Sequence, residues 1–143
     1  MLAREHRGAR DLQDVLLLGV MGFGMGKSPP TYIRLLNLLR AIRELPPFNA
    51  LTADEELLLE DLVVQWHEQS VVKMSDLMSN AHYGPRSTVY RRLVALRDKG
   101  LILVEGDPDD KRERYVKPSA AARSFIAEVR RGVDDLVERG ARQ

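Results

Sequence analysis

Hydrophobic residues recur along most of the chain at steps of three and four positions, which is the spacing of amphipathic helices. The first segment of this kind starts after Pro29-Pro30, with Thr31 as its predicted cap, and ends before Pro46-Pro47. We expect one side of this helix to be buried. That side carries Tyr32, Leu35, Leu36, Leu39 and Ile42.

A second helix is predicted from Leu51 on. Thr52 and Glu55 have the spacing of a capping box, in which each side chain pairs with a free backbone N–H at the helix start. The acidic first turn favours a helix too, because negative charge is stabilised at the positive end of the helix dipole. The predicted buried side carries Leu59, Leu62, Val63 and Trp66.

Two shorter elements follow. Residues 71–74 are rich in β-branched side chains and predict a small strand. Ser75 is the predicted cap of a short helix, which a turn at residues 82–84 ends. The inward positions of that helix are Leu77, Met78 and Ala81.

A longer helix is predicted after this turn. Pro85 suits its first position, and Gly100 closes it after Lys99. Its inward positions are Val89, Leu93 and Leu96.

A charged β-hairpin is predicted next. Residues 101–104 and 114–116 are typical of strands, and residues 106–110 between them are dense in turn formers. Ser119 then caps a last helix with about two heptads of apolar positions. These positions are Ala122, Ile126, Val129, Val133 and Leu136.

Composition narrows the class of protein. With 143 residues, 44% of them hydrophobic but only 6% aromatic, the chain suits one compact, mostly α domain with an accessory element. There is no cysteine, which excludes disulfides, thiolate catalysis and thiol-based redox sensing. The three histidines are too far apart in sequence to form a ligand pair. We therefore predict no catalytic site, no metal site and no cofactor.

Residues 1–30 form an N-terminal extension of unassigned role. Its apolar run at residues 15–26 is shorter than the ~20 residues that span a bilayer, and it lacks the features of a signal peptide, so we expect a cytoplasmic protein. The segment Gly26-Lys27-Ser28 is similar to the end of a phosphate-binding loop, but Met21 occupies the position of the required first glycine. Prolines also follow where a helix is needed, so we do not expect nucleotide binding or hydrolysis.

Charge is unevenly distributed. Residues 51–80 carry one basic side chain against seven acidic ones, whereas residues 81–118 carry nine basic side chains against six acidic ones. An acidic segment beside a basic one indicates a polarised molecule, one face of which suits a polyanion.

The order of elements over residues 52–118 is typical of a helix-turn-helix followed by a hairpin wing. The helix at about residues 85–99 would enter the major groove of DNA. On a helical wheel with Val89 inward, its outward and flanking positions are polar or basic: Arg86, Ser87, Thr88, Tyr90, Arg91 and Arg92. The alternative is an ordinary solvated basic face.

The predicted wing, residues 104–115, carries Asp110-Lys111-Arg112 at its tip and Arg114 just beyond. An arginine on a hairpin can enter the minor groove, where the potential is most negative. We expect the Asp110 carboxylate to hold the Arg112 side chain in place. The alternative is an ordinary charged turn.

These features together resemble the MarR family of winged helix-turn-helix transcription regulators. The resemblance covers residues from about 31 to 139. It rests on the capped helix from Leu51 to Ser70, on Met74-Ser75-Asp76-Leu77, on Ser87-Thr88-Val89 with Leu93 and Leu96, on Lys99-Gly100-Leu101-Ile102 and on Asp110-Lys111-Arg112.

The resemblance implies a mostly α fold in which N- and C-terminal dimerisation helices, residues 31–50 and 119–143, flank a DNA-binding domain at residues 51–118. It implies a homodimer on a palindromic double-stranded site, read by Ser87, Thr88, Tyr90 and Arg91 and by Arg112 positioned by Asp110. It also implies a small-molecule effector between the dimer helices and the DNA-binding lobe. The alternative function is a winged-helix module for protein–protein interaction without specific DNA binding.

Overall fold

The structure is a computed structural model that describes residues 29–69 and 71–142. The predicted N-terminal extension, with its glycine-rich segment and Lys27, lies outside these residues except for Pro29 and Pro30. The described chain is mostly helical with one small antiparallel sheet, so the coarse fold class predicted from the sequence is confirmed.

Five helices and three strands make up the described chain. Two single turns of 3₁₀ helix, Phe48–Ala50 and Ala81–Tyr83, lie between them. In chain order the elements are α1 (Thr31–Arg43), α2 (Ala53–Glu68), β1 (Val72–Lys73), α3 (Met74–Ser79), α4 (Arg86–Asp98), β2 (Ile102–Gly106), β3 (Arg114–Pro118) and α5 (Ala120–Ala141).

The sheet has the strand order β1-β3-β2, and both pairings are antiparallel. The predicted hairpin is confirmed, with Val104 opposite Val116. The predicted small strand also forms, and Val72 lies opposite Val116 on its other side. This valine on the central strand is fully buried.

The described chain divides into two compact units. One contains residues 51–124, and the other contains the described residues up to Ala50 together with those from Phe125 onward. The core of the first unit is built from α2, α3, α4 and the inner side of the sheet. Its most deeply buried side chains are Leu62, Leu77, Val89, Leu93, Leu96, Leu101, Ile102 and Val116.

The other unit has a smaller core, in which Leu38 and Ile42 of α1 pack against Leu136 of α5. Half-buried apolar side chains extend it, and Phe48 stacks on Phe125 with ring centroids 4.0 Å apart. At the C-terminal end of α5, a Cβ on Gly140 would lie 2.5 Å from the Thr31 hydroxyl, so any other residue there would require the Thr31 side chain to shift.

Three of the predicted capping signals are confirmed. The Thr52 hydroxyl accepts from the Glu55 amide at 3.2 Å and the Glu55 carboxylate accepts from the Thr52 amide at 3.3 Å, which completes the capping box. Ser119 Oγ accepts from the Ala122 amide at 3.0 Å at the start of α5. Gly100 ends α4 with a φ of 77°, a conformation that strains other residues.

Other predicted helix starts are wrong by one or two positions. Pro30, not Thr31, precedes α1 and provides no side-chain cap. The short helix begins at Met74 instead of after Ser75, and Pro85 precedes α4 instead of opening it. Proline and serine both signal a helix start, but the backbone around them decides which residue is first.

Several predicted buried faces also need correction. In α1 the buried side chains are Arg34, Leu38 and Ile42, whereas Tyr32 and Leu39 are exposed. In α2 the buried side includes Glu55 and Leu58, and Val63 and Trp66 are only half-buried. Ala81 is exposed in its 3₁₀ turn, and Met78 is half-buried. Within residues 29–69 and 71–142, no helix is long and apolar enough to cross a membrane.

Candidate nucleic-acid interface

Helix α4 has two sharply different sides. Val89, Leu93 and Leu96 are fully buried, as their spacing predicted. The opposite side is exposed and carries Arg86, Ser87, Tyr90 and Arg91, while Thr88 is half-buried at the flank. The structure therefore brings most of the predicted DNA-contacting side chains of α4 to one solvent-facing surface.

The turn before α4 is shaped by two residues. The Asn80 side chain accepts from the His82 amide at 3.0 Å, which stabilises the 3₁₀ turn Ala81–Tyr83. Gly84 then adopts φ 98° and ψ −165°, a backbone conformation open in practice only to glycine. Pro85 follows and immediately precedes α4, so the glycine sets the direction in which the helix leaves the turn.

Two polar contacts hold α4 against the first turn of α2. The Arg92 guanidinium pairs with Asp54 at 3.0 Å and also donates to the Tyr83 carbonyl at 3.1 Å. Seven residues further on, Lys99 Nζ lies 2.5 Å from the Glu55 carboxylate that also completes the capping box. Because these contacts lie two helical turns apart, they fix both the position and the rotation of α4.

Arg92 thus differs from the other arginines of α4. Its side chain is only 27% exposed, and both of its terminal nitrogens are engaged within the protein. The structure assigns this guanidinium to the attachment of α4 to α2. Its predicted contact with DNA stays a prediction.

The remaining cations of α4 are more accessible. Arg86 and Arg91 are exposed and form no ion pair with any residue in the described ranges. Arg97, near the C-terminal end, lies 3.4 Å from its neighbour Asp98. The charge of the exposed side is therefore least compensated near the N-terminal half of the helix.

The hairpin presents a second group of cations. Lys111, Arg112 and Arg114 are exposed, and within residues 29–69 and 71–142 none of them forms an ion pair. Arg114 lies at the start of β3, opposite Gly106. The predicted tip residues are therefore available to an external anion.

Asp110 makes a different contact from the one predicted. Its carboxylate accepts from the backbone amide of Arg112 at 3.0 Å, not from the guanidinium. Its carbonyl accepts from the Glu113 amide at 3.1 Å. An aspartate that pairs with a backbone N–H two residues on closes a tight turn, so Asp110 shapes the loop and leaves the Arg112 side chain unattached.

A cleft of about 270 Å³ lies beside α4 in the same unit. Gln65 donates to the Tyr83 hydroxyl at 3.0 Å there, and burial, with the nearby Asp61 carboxylate second, raises the pKa of Tyr83. Part of its lining is already used by the Arg92–Asp54 pair. Its lining residues are Asp54, Leu57, Leu58, Asp61, His82, Tyr83, Val89 and Arg92.

In the described part of the chain, no cluster of three or more histidine, aspartate or glutamate side chains could hold a metal ion. Comparison with known proteins finds no family model, no curated protein and no solved structure that matches the chain.

Reasoning from the sequence missed the partners that position α4. The sequence predicts Asp54 and Glu55 only as residues that complement the helix dipole and cap the helix, not as partners of Arg92 and Lys99. The signal in the sequence is the contrast between the acidic first turn of α2 and the basic α4. Pairing them required knowing that α2 and α4 are neighbours.

Proposed function

We propose that the chain is a winged helix-turn-helix protein that binds double-stranded DNA in a sequence-specific manner and regulates transcription, in the manner of the MarR family. In this proposal α3 and α4 form the helix-turn-helix, with α4 in the major groove, and the β2–β3 hairpin is the wing at the minor groove. The order of the elements and the strand order β1-β3-β2 support this assignment.

One observation carries the proposal. The cations of α4 and its end that face the protein pair with α2, and the exposed Arg97 pairs only with its neighbour Asp98, whereas the exposed cations in the N-terminal half form no ion pair within the described ranges. Arg92 and Lys99 meet the acidic first turn of α2, whereas Arg86 and Arg91 meet no carboxylate in the described ranges. A basic face that is merely solvated could carry acidic side chains beside its arginines, because opposite charges there would not destabilise the protein.

The chemistry of this surface suits DNA. Arginine can pair bidentately with guanine, and serine or threonine can reach bases or phosphates. Arg86 lies in the first turn of α4, which is the end of a recognition helix that meets base edges. Arg112 and Lys111 on the hairpin add positive charge, so affinity should fall steeply with salt concentration.

We further propose that the protein acts as a homodimer through α1 and α5. Exposed apolar side chains on these helices support this part of the proposal: Tyr32 is 67% exposed and Val137 is 57% exposed. Two-fold symmetry would match a palindromic site. An effector ligand, a cytoplasmic location and the lack of enzymatic activity stay predictions.

The test is selection of bound duplexes from a random-sequence DNA pool. The wild type is compared with an Arg91→Ala, Arg112→Ala variant and with a control, Arg97→Ala, Arg123→Ala, which removes the same charge from the same unit. We expect the wild type and the control to enrich a two-fold-symmetric site with half-sites about 10 base pairs apart. The Arg91, Arg112 variant should enrich no common sequence.

Equal loss in both double variants would show that only net charge matters, which contradicts sequence-specific recognition. Lack of enrichment by the wild type would contradict DNA regulation altogether. That second result would favour a winged helix that binds another protein.

A further inference from the structure

The loop at the hairpin tip is closed by a side-chain contact across its base. Tyr115 Oη donates to Asp107 Oδ2 at 2.6 Å. The other carboxylate oxygen of Asp107 accepts from the Asp109 amide at 2.8 Å. The Asp107 amide in turn donates to the Glu113 carbonyl at 3.0 Å. Asp107 therefore connects the first strand, the loop and, through Tyr115, the returning strand.

Tyr115 occupies a supported position from which to make this contact. It lies on the central strand β3, between Lys73 of β1 and Glu105 of β2. Beside it, Lys117 and Glu105 pair across the hairpin at 2.6 Å. The ring is half-buried among these neighbours, so the phenol is held by the sheet and its hydroxyl reaches beyond the end of the paired strands.

The two partners influence each other in the directions that a short hydroxyl–carboxylate bond requires. The bond to Asp107 is the main cause that raises the pKa of Tyr115 to about 12. The same bond is the main cause that lowers the pKa of Asp107. Near neutral pH the phenol is protonated and the carboxylate ionised, which is the pairing in which the bond is strongest.

We propose that Tyr115 is a positioning residue, whose bond to Asp107 holds the loop at residues 107–113 in the one conformation that presents Arg112 to DNA. The proposal rests on the proposed function for its DNA-binding consequence. In this proposal Tyr115 touches no nucleotide, but it sets the position of Arg112, which does.

The physical reason is preorganisation. A loop between two strands loses conformational freedom when it binds, and that loss weakens binding unless the free protein has already ordered it. The Asp110 carboxylate orders only the turn around Arg112. The Tyr115–Asp107 bond closes the loop at its base, and Arg112 can then enter a groove without further ordering of the backbone.

The test is Tyr115→Phe, which removes the hydroxyl and changes no charge. The matched control is Tyr83→Phe, which also removes a hydrogen-bonded hydroxyl from the same unit but lies outside the hairpin. We expect the Arg112 amide to exchange with solvent faster in Tyr115→Phe only. Affinity for the selected duplex should fall by about threefold to tenfold, which is the usual effect of one hydrogen bond. In Tyr83→Phe the Arg112 amide should exchange at the wild-type rate.

A second variant separates positioning from a general loss of stability. If Tyr115 acts through Arg112, then adding Tyr115→Phe to Arg112→Ala should weaken binding no further than Arg112→Ala alone. Additive losses, or a Tyr115→Phe variant that binds as tightly as the wild type, would overturn the proposal.

Failure of the proposed function would look different. A wild type that binds no duplex contradicts DNA regulation, and amide exchange then decides the role of Tyr115 by itself. Faster exchange at Asp109 and Arg112 in Tyr115→Phe would still support loop positioning, whereas unchanged exchange would refute it.

Discussion

Helices α1 and α4 have the same length and begin in the same way, yet their sequences specify their packing to very different degrees. Each has 13 residues, follows a proline and lacks a side-chain cap. In α4 the predicted buried positions Val89, Leu93 and Leu96 are all fully buried. In α1 only Ile42 of the predicted face is buried.

The difference lies in the polar positions. In α4, charged and hydroxyl side chains occupy the sides away from Val89, so one apolar face remains. In α1, apolar residues occur on adjacent sides, and more than one face could be buried. The contacts with Leu136 and Phe125 select Leu38 and Ile42. Tyr32 and Ile33 remain exposed as a result. A hydrophobic pattern thus determines packing only where polar residues exclude the alternatives.

The largest effect is expected at the unambiguous face of α4. Leu93→Ala should reduce the free energy of unfolding by about 2 to 5 kcal/mol, because it leaves a cavity in a close-packed core. Denaturant unfolding measures the change. Ser87→Ala, on the exposed side of the same helix, should change it by less than about 0.5 kcal/mol. Similar losses of unfolding free energy at both positions would contradict the assignment of one buried and one exposed side to α4.

The comparison is sharpest within α1 itself. Leu38 is fully buried and its neighbour Leu39 is 38% exposed. Leu38→Ala should lower the free energy of unfolding by about 2 to 4 kcal/mol, and Leu39→Ala should lower it by less than about 1 kcal/mol. Denaturant unfolding at one fixed protein concentration measures both changes. A loss at Leu39 as large as that at Leu38 would show that the face predicted from the sequence is buried in solution.

A smaller effect should separate two neighbouring arginines of α4. Arg92→Ala removes an ion pair and a hydrogen bond, but both Arg92 and Asp54 are partly exposed, so the expected loss is only about 1 kcal/mol. Arg91→Ala should leave stability nearly unchanged and reduce DNA affinity instead. Thermal unfolding and duplex titration of both variants measure this division. If Arg92→Ala kept full stability, the attachment of α4 to α2 would rest on the Lys99–Glu55 pair and on apolar packing.

The smallest effect concerns the hairpin, where a side-chain contact, not an apolar pattern, determines the conformation. The bond from Tyr115 lowers the pKa of Asp107 below its ordinary value of 3.8. The ionised carboxylate therefore stabilises the loop above the ordinary aspartate pKa, and this contribution disappears as the pH falls through the lowered pKa. Carboxyl chemical shifts of Asp107 should show a midpoint below 3.8 in the wild type. Tyr115→Phe should move it upward, and an unmoved midpoint would contradict the assigned cause.

The sequence predicted the elements of the chain better than their contacts. The capping box, the serine cap and the glycine after α4 depend on neighbours a few residues apart, and Thr52, Ser119 and Gly100 behave as predicted. The exposed arginines Arg86 and Arg91 were also identified, because the buried side of α4 was correct. Arg92 lies at the edge of the buried side of α4, and its partner Asp54 lies on α2. The pattern of α4 alone therefore could not predict this ion pair.

By itself, the sequence determined which segments are helical, where the hairpin turns and which side of α4 faces solvent, because these properties follow from local spacing and from backbone preferences. The tertiary structure alone decided that α1 buries Leu38, that Asp54 and Glu55 hold α4, and that Tyr115 closes the loop onto Asp107. Each of these depends on residues that are distant in the chain or lie on facing strands. A pattern along one element carries no information about the surface that the element meets, so contacts of this kind cannot be predicted from local spacing.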